Sequence, residues 1–96
     1  MGFSLKLLLS AENDIDNATD YYALISDKVL ENFNNKLDEA LISIQNNPFF
    51  QIRYKATRFL PVKNFPYIIL FEIEEITETI YIISVFCTHQ NPEKYP

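Results

Sequence analysis

The chain opens on a mostly apolar run, Phe3 to Leu9, interrupted by Lys6, which predicts a short first strand. The period then changes. Ala11, Ile15, Ala18, Tyr22 and Ile25 recur at helical spacing and define one apolar stripe. Ser10 predicts the N-cap of that helix, with Glu12 and Asp14 in its first turn, where the helix dipole favours acids. Ser26 and Asp27 break the helix and restart it. Val29, Leu30, Phe33, Leu37, Ala40, Leu41 and Ile44 then form the apolar face of a second helix, and Asn46-Asn47-Pro48 stops it, because proline cannot continue a helix. So short a link predicts an antiparallel helix hairpin.

From Ile52 onward the chain is enriched in β-branched and aromatic residues, predicting strands over 52–60, 65–75 and 78–88. Pro61 and Pro66 bracket the first connection, and Glu74 to Glu78 supply the second. With Gly2 as the only glycine, these turns lack the usual two-residue hairpin chemistry, so loops of three to five residues are expected. The predicted fold class is α+β, in the order β-α-α-β-β-β. A helix hairpin packs on one face of a mostly antiparallel four-stranded sheet, and residues 1–96 form one domain.

Strand alternation places Phe65, Tyr67, Ile69, Phe71 and Ile73 on one face, with Ile68 and Leu70 on the other. In the last strand Ile80, Ile82 and Phe86 oppose Tyr81, Ile83 and Val85. Two helices cover one face only. The second apolar face therefore reads either as a partner site or as a surface covered by the chain's own termini.

Charge adds a second asymmetry. Eight basic residues stand against 13 acidic ones, for a net charge of −5, which argues against general nucleic-acid affinity. Yet no acidic residue lies between Glu39 and Glu72, and Arg53, Lys55, Arg58 and Lys63 all fall in that gap. This cluster, with His89 and Tyr95 as possible neighbours, fits recognition of an anionic target by charge-assisted hydrogen bonds. The competing reading is a charged strand edge that blocks aggregation. Over one continuous strand, parity puts Arg53 and Lys55 on one face and Arg58 on the other, unless a bulge near Thr57 intervenes.

Other chemistry is thin. Cys87 and His89 share a strand face but stand roughly 7 Å apart at that spacing, too far for a nucleophile–base pair. Cys87 reads as a small buried hydrophobe. One cysteine and one histidine cannot build a structural zinc site, so no metal is expected. No glycine-rich phosphate loop exists, and no cofactor is expected. Glu72, Glu74, Glu75 and Glu78 read as a solvated rim. A lone cysteine points to a reducing compartment, while Leu7 to Leu9 is too short to span a bilayer and no secretory pattern accompanies it. The expectation is a cytoplasmic chain with no membrane partner.

Several segments together resemble the RelE/ParE toxin superfamily: Ala11…Asp14-Ile15…Ala18…Tyr21-Tyr22, Phe33…Leu37…Ile44…Asn47-Pro48, Phe65-Pro66-Tyr67-Ile68-Ile69, and Val85-Phe86-Cys87-Thr88-His89-Gln90-Asn91-Pro92-Glu93-Lys94-Tyr95. The resemblance implies the toxin of a type II toxin–antitoxin, or plasmid stabilisation, system. It also implies a cognate antitoxin whose C-terminal segment orders on the toxin; Ile68 and Leu70 are the expected contact, with self-association when the antitoxin is absent. RelE-like members are ribosome-dependent mRNA endoribonucleases. On that side Lys55, Arg58 and Tyr95 stand at the catalytic positions, but Ile68 and Gln90 occupy places where arginine is usual. The Phe-Pro-Tyr-Ile-Ile pattern resembles the ParE side, whose members inhibit DNA gyrase without being nucleases. There Arg53, Lys55, Arg58, Lys63 and His89 are the candidate target-binding residues. A degenerate toxin retaining only antitoxin binding is the third alternative.

Overall fold

Ser26 is the hinge of the helical half. The computed structural model describes residues 2–50 and 52–88, with the side chains of 50 and 52–54 left aside. Helix α1 (Leu9–Ile25) ends at Ser26, whose extended backbone starts α2 (Asp27–Asn46) at once. The Ser26 hydroxyl accepts the Val29 N–H at 3.0 Å, satisfying one of the donors a helix start leaves free. Asn47 closes α2, and a 3₁₀ turn, Pro48–Phe50, leads away from it.

The expected cap at Ser10 is not formed. Strand β1 (Ser4–Leu7) runs almost directly into α1: the Leu8 N–H donates to Ile82 O and the Leu8 carbonyl accepts from Glu12 N–H. Ser10 thus lies inside the first turn, and its hydroxyl donates to Ile83 O at 2.5 Å. Position within the first turn, rather than residue type, decides the outcome.

The predicted strand over 52–60 divides into β2 (Ile52–Tyr54) and β3 (Thr57–Pro61), followed by β4 (Tyr67–Glu74) and β5 (Thr79–Cys87). The order across the sheet is β1-β5-β4-β3-β2, with β1 parallel to β5 and every other pair antiparallel. Strands β1, β5, β4 and β3 are the mixed, mostly antiparallel sheet that carries the helix hairpin, and β2 extends it by three residues at one edge. Tyr54 pairs with Thr57, so Lys55 and Ala56 make a two-residue turn. No turn is expected inside the 52–60 strand; Lys55 makes one without glycine by adopting a left-handed backbone, φ 56°. Asn64 and Glu78 adopt the same backbone, with φ of 69° and 52°, in the other two connections, 62–66 and 75–78, which have the expected three to five residues.

The core lies between the hairpin and one sheet face. Ala11, Ala18 and Tyr22 of α1 and Phe33, Leu37, Ala40 and Ile44 of α2 pack on Tyr67, Ile69, Phe71, Ile80, Ile82 and Val85. The Phe33 ring sits 5.0 to 5.4 Å from the rings of Tyr22, Phe65 and Tyr67, in tilted and edge-on arrangements that suit aromatic quadrupoles. Ile25, expected in the apolar stripe, is exposed, as are its neighbours Tyr21 and Leu24. The last turn of α1 carries the stripe past the core.

One expectation about β5 fails for a clear reason. Leu70 pairs with Ser84 but Phe71 pairs with Ile82, so Ile83 is an extra residue in β5. The bulge inverts side-chain parity beyond it. Val85 joins Ile80 and Ile82 in the core, and Phe86 moves to the opposite face beside Ile68.

Candidate functional site

The β2–β3 turn decides where the cations lie. Because the chain reverses at Lys55-Ala56, Arg53 and Arg58 are direct cross-strand partners in register. The parity expected of a continuous strand, with Arg58 opposite Arg53, is thereby corrected. Arg58 also pairs with Phe71, a core residue, and so belongs to the helix-bearing face. Its Nη1 donates to Phe49 O at 3.2 Å, and its guanidinium carbon lies 5.3 Å from the Phe49 ring centroid. That is hydrogen-bonding and cation–π range. Phe49 is presented there because Pro48 ends α2 and turns the chain toward the sheet edge.

A shallow hollow of about 190 Å³ opens beside this pair, lined by Phe49, Lys55, Ala56, Arg58, Ile73 and Glu75. Lys55 is exposed at its rim. Lys63 is also exposed but stands in the connection after Pro61, at the other end of β3. A five-residue strand spans roughly 17 Å, so Lys63 is remote from the Lys55–Arg58 hollow. His89, Gln90 and Tyr95 lie outside the described residues.

Ile68 and Leu70 occupy the face opposite the helices and are half-buried. Ile68 pairs with Pro61 and Phe86, and Leu70 with Phe59 and Ser84. The cationic hollow and this apolar patch therefore lie on opposite sides of the sheet. Among the expected rim acids, Glu72 accepts from the Thr57 hydroxyl at 3.2 Å and Glu74 from the Ile76 N–H at 2.9 Å.

Two polar arrangements went unread in the sequence. Asp14, expected simply as a first-turn acid, accepts the Ser84 hydroxyl at 2.8 Å and the Val85 N–H at 3.0 Å. It satisfies backbone that the β5 bulge leaves unpaired. Its position one helical turn after Ser10 and before Ala18, bordering the apolar stripe, was the available signal. The second is the Tyr22–Tyr67 pair. The side chains of Tyr22, Tyr67 and Cys87 meet at one hollow beside the core. Burial pushes the Tyr67 hydroxyl well above the ordinary tyrosine range, and the neighbouring Cys87 and Tyr22 push it further. Burial also raises Tyr22, against the lowering effect of the hydrogen bond from Tyr67. Both stay protonated at neutral pH and serve the core. Cys87, half-buried, sits on the helix side as the partner of Tyr67. Among the described residues no group of three or more His, Cys, Asp or Glu could hold a metal ion.

The described residues form a helix hairpin on one face of a mixed sheet, with the Lys55–Arg58 hollow at the sheet edge. Residues 5–92 match the family described as ParE toxin of type II toxin–antitoxin system, parDE, and the chain belongs to that family. Among solved structures, a chain of the chromosomal ParDE TA system from P. aeruginosa shares the fold, with a TM-score of 0.74. The likeness covers 91% of this chain and 97% of that one at 20% sequence identity. No curated protein sequence is significantly similar. Among the described residues no helix is long and apolar enough to cross a membrane.

Proposed function

We propose that this chain is a single ParE-like toxin domain that arrests growth by binding a macromolecular target such as DNA gyrase. In this reading a cognate antitoxin neutralises it by covering the open sheet face at Ile68 and Leu70. The observation that carries the target reading is that, of the cations with described side chains, only Lys55 and Arg58 share one hollow, and Arg58 is already engaged there. Arg58 is engaged with Phe49 beside Lys55, Lys63 stands beyond the far end of β3, and Ile68 fills the strand position where RelE-like nucleases place an arginine. Phosphodiester cleavage needs cations converging on the developing phosphorane charge. A pair of cations at the sheet edge, with Lys63 apart from it, suits docking on an anionic surface instead.

Induced expression without the antitoxin tests this directly. Growth arrest with SOS induction and intact mRNA is expected. Ribosome-dependent mRNA cleavage would replace the gyrase reading with the endoribonuclease one, and absence of arrest would leave a degenerate toxin. The purified protein should also leave naked RNA intact. Cleavage of a short RNA in a single turnover, lost in Lys55→Ala, would reject the non-nuclease reading.

A further inference from the structure

Strand β5 is held differently along its two halves. Over residues 79–82 it lies between β1 and β4 and is paired on both sides. Beyond Ile82 strand β1 has ended, and among the described residues β4 is the only strand beside it. Side chains of α1 take its outer edge instead. The Ser10 hydroxyl donates to the Ile83 carbonyl, and Asp14 accepts the Val85 N–H and the Ser84 hydroxyl. The bulge at Ile83 sits where the support changes.

A second register is compatible with the same residues. If the pairing of Phe71 with Ile82 ran on without the bulge, Leu70 would meet Ile83, Ile69 would meet Ser84, Ile68 would meet Val85 and Tyr67 would meet Phe86. Each residue beyond Ile82 would change face. The helix side, which now takes Val85 and Cys87, would take Ser84 and Phe86. A hollow of about 170 Å³ lies there, between Asp14 and Ala18 of α1 and Tyr67 of β4, along residues 84–87. It is room for the incoming ring. Ser84 would stand in the place of Val85 and offer Asp14 its own N–H, so the carboxylate keeps a backbone donor in both registers. Only the bulged one gives Asp14 the Ser84 hydroxyl, and only there does the Ile83 carbonyl face Ser10 rather than β4.

We propose that the outer half of β5 is a register switch, exchanging between this bulged arrangement and the regular one, with the Ser84–Asp14 and Ser10–Ile83 contacts as its latch. The switch changes what the open sheet face offers. Phe86 stands beside Ile68 on that face in the bulged register, whereas the regular one replaces it with Val85 and Ile83. A partner that packs on Phe86 and Ile68 together therefore selects the bulged state, by the difference in its affinity for the two. That consequence rests on the reading of the open face as the antitoxin surface; the exchange itself does not.

NMR relaxation dispersion on the whole chain tests the exchange. It is expected at the amides of residues 83–88 and in the Asp14 turn of α1, with residues 80–82 quiet between their two strands. Ser84→Ala removes one latch and the polar group that the regular register would bury. It should raise the minor population at least about fivefold, the worth of one hydrogen bond. Phe86→Lys puts a charge where the regular register needs an apolar ring and should abolish the exchange; Phe86→Thr serves if the lysine variant does not fold. Cys87 gives a second readout, because it leaves the side of Tyr67 in the regular register. Its reaction with a disulfide reagent should be faster in Ser84→Ala than in the parent chain and slower in the Phe86 variant. Absence of dispersion in Ser84→Ala overturns the proposal. So do dispersion and thiol reactivity that the Phe86 variant leaves unchanged, which would mean fraying of the strand end. Both measurements use the chain alone, so they fail or succeed independently of growth arrest and of neutralisation, which test the toxin reading.

Discussion

The carboxylate of Asp14 and the backbone N–H of Val85, 71 positions apart in sequence, are joined at 3.0 Å. The same carboxylate holds the Ser84 hydroxyl, and Ser10, one turn earlier, holds the Ile83 carbonyl. Two successive turns of α1 are thereby fastened to the bulge in β5. The bulge is what sends Val85 into the core and Phe86 out of it. A pair of polar residues on the helix thus secures the register on which the last third of the core depends.

Asp14→Ala removes the acceptor for both donors and leaves the Val85 N–H half-buried without it. A loss of about 1–3 kcal/mol is expected from such an orphaned group. Ser84→Ala removes one hydrogen bond and leaves the Val85 contact intact, so its cost should be smaller, about 1 kcal/mol. Urea denaturation of the two variants checks the order. Equal effects would mean that the Val85 N–H is satisfied elsewhere.

The Tyr22–Tyr67 pair predicts alkaline sensitivity. The folded-state pKa of Tyr67 lies above the unfolded value of 10.0, so the folded state disfavours the tyrosinate. Its contribution to stability is complete below that unfolded value and is lost as pH rises from there toward the folded pKa. Melting temperature should therefore fall above about pH 10. Tyr67→Phe should flatten this decline while costing some stability near neutrality. An alkaline profile unchanged in Tyr67→Phe would assign the effect to other groups.

Lys55 occupies a left-handed backbone at φ 56°, a conformation that costs a side-chain-bearing residue about 1–2 kcal/mol. Glycine adopts it freely. Lys55→Gly should therefore be neutral to stabilising, by up to about 1 kcal/mol once glycine's greater unfolded-state freedom is set against the relief. A clear drop in melting temperature would show that the Lys55 side chain contributes more than the strain it imposes.

Lys55 and Lys63 are exposed at opposite ends of β3, which makes them the cleanest test of the edge proposed to bind the target. Combining Lys55→Gly with Lys63→Ala should relieve growth arrest without lowering the melting temperature. Arg58→Ala is less clean, because the guanidinium also packs on Phe49 and stability should fall with it. Arrest that persists in a variant lacking Arg53, Lys55, Arg58 and Lys63 together would remove this edge from the mechanism.

What the chain's sequence determined by itself was what short-range chemistry controls. The helical stripes fixed α1 and α2, Ser26 fixed the junction between them, and Pro48 fixed the end of the second helix, since each depends on neighbours within a turn or so. β-propensity located the β half, the order of elements implied the fold class, and the residue segments shared with the toxin superfamily carried the family resemblance. Tertiary structure decided what one residue's displacement can reverse. Side chains alternate with a period of two, so the reversal at Lys55-Ala56 and the extra residue at Ile83 each changed which face the following residues occupy, with no glycine to mark either place. Hence Arg58 became the register partner of Arg53, Val85 replaced Phe86 in the core, and Asp14 became a fastening for the bulge rather than a first-turn acid. Pairing energies and satisfied backbone groups are summed over whole strands, and only the assembled sheet could weigh them.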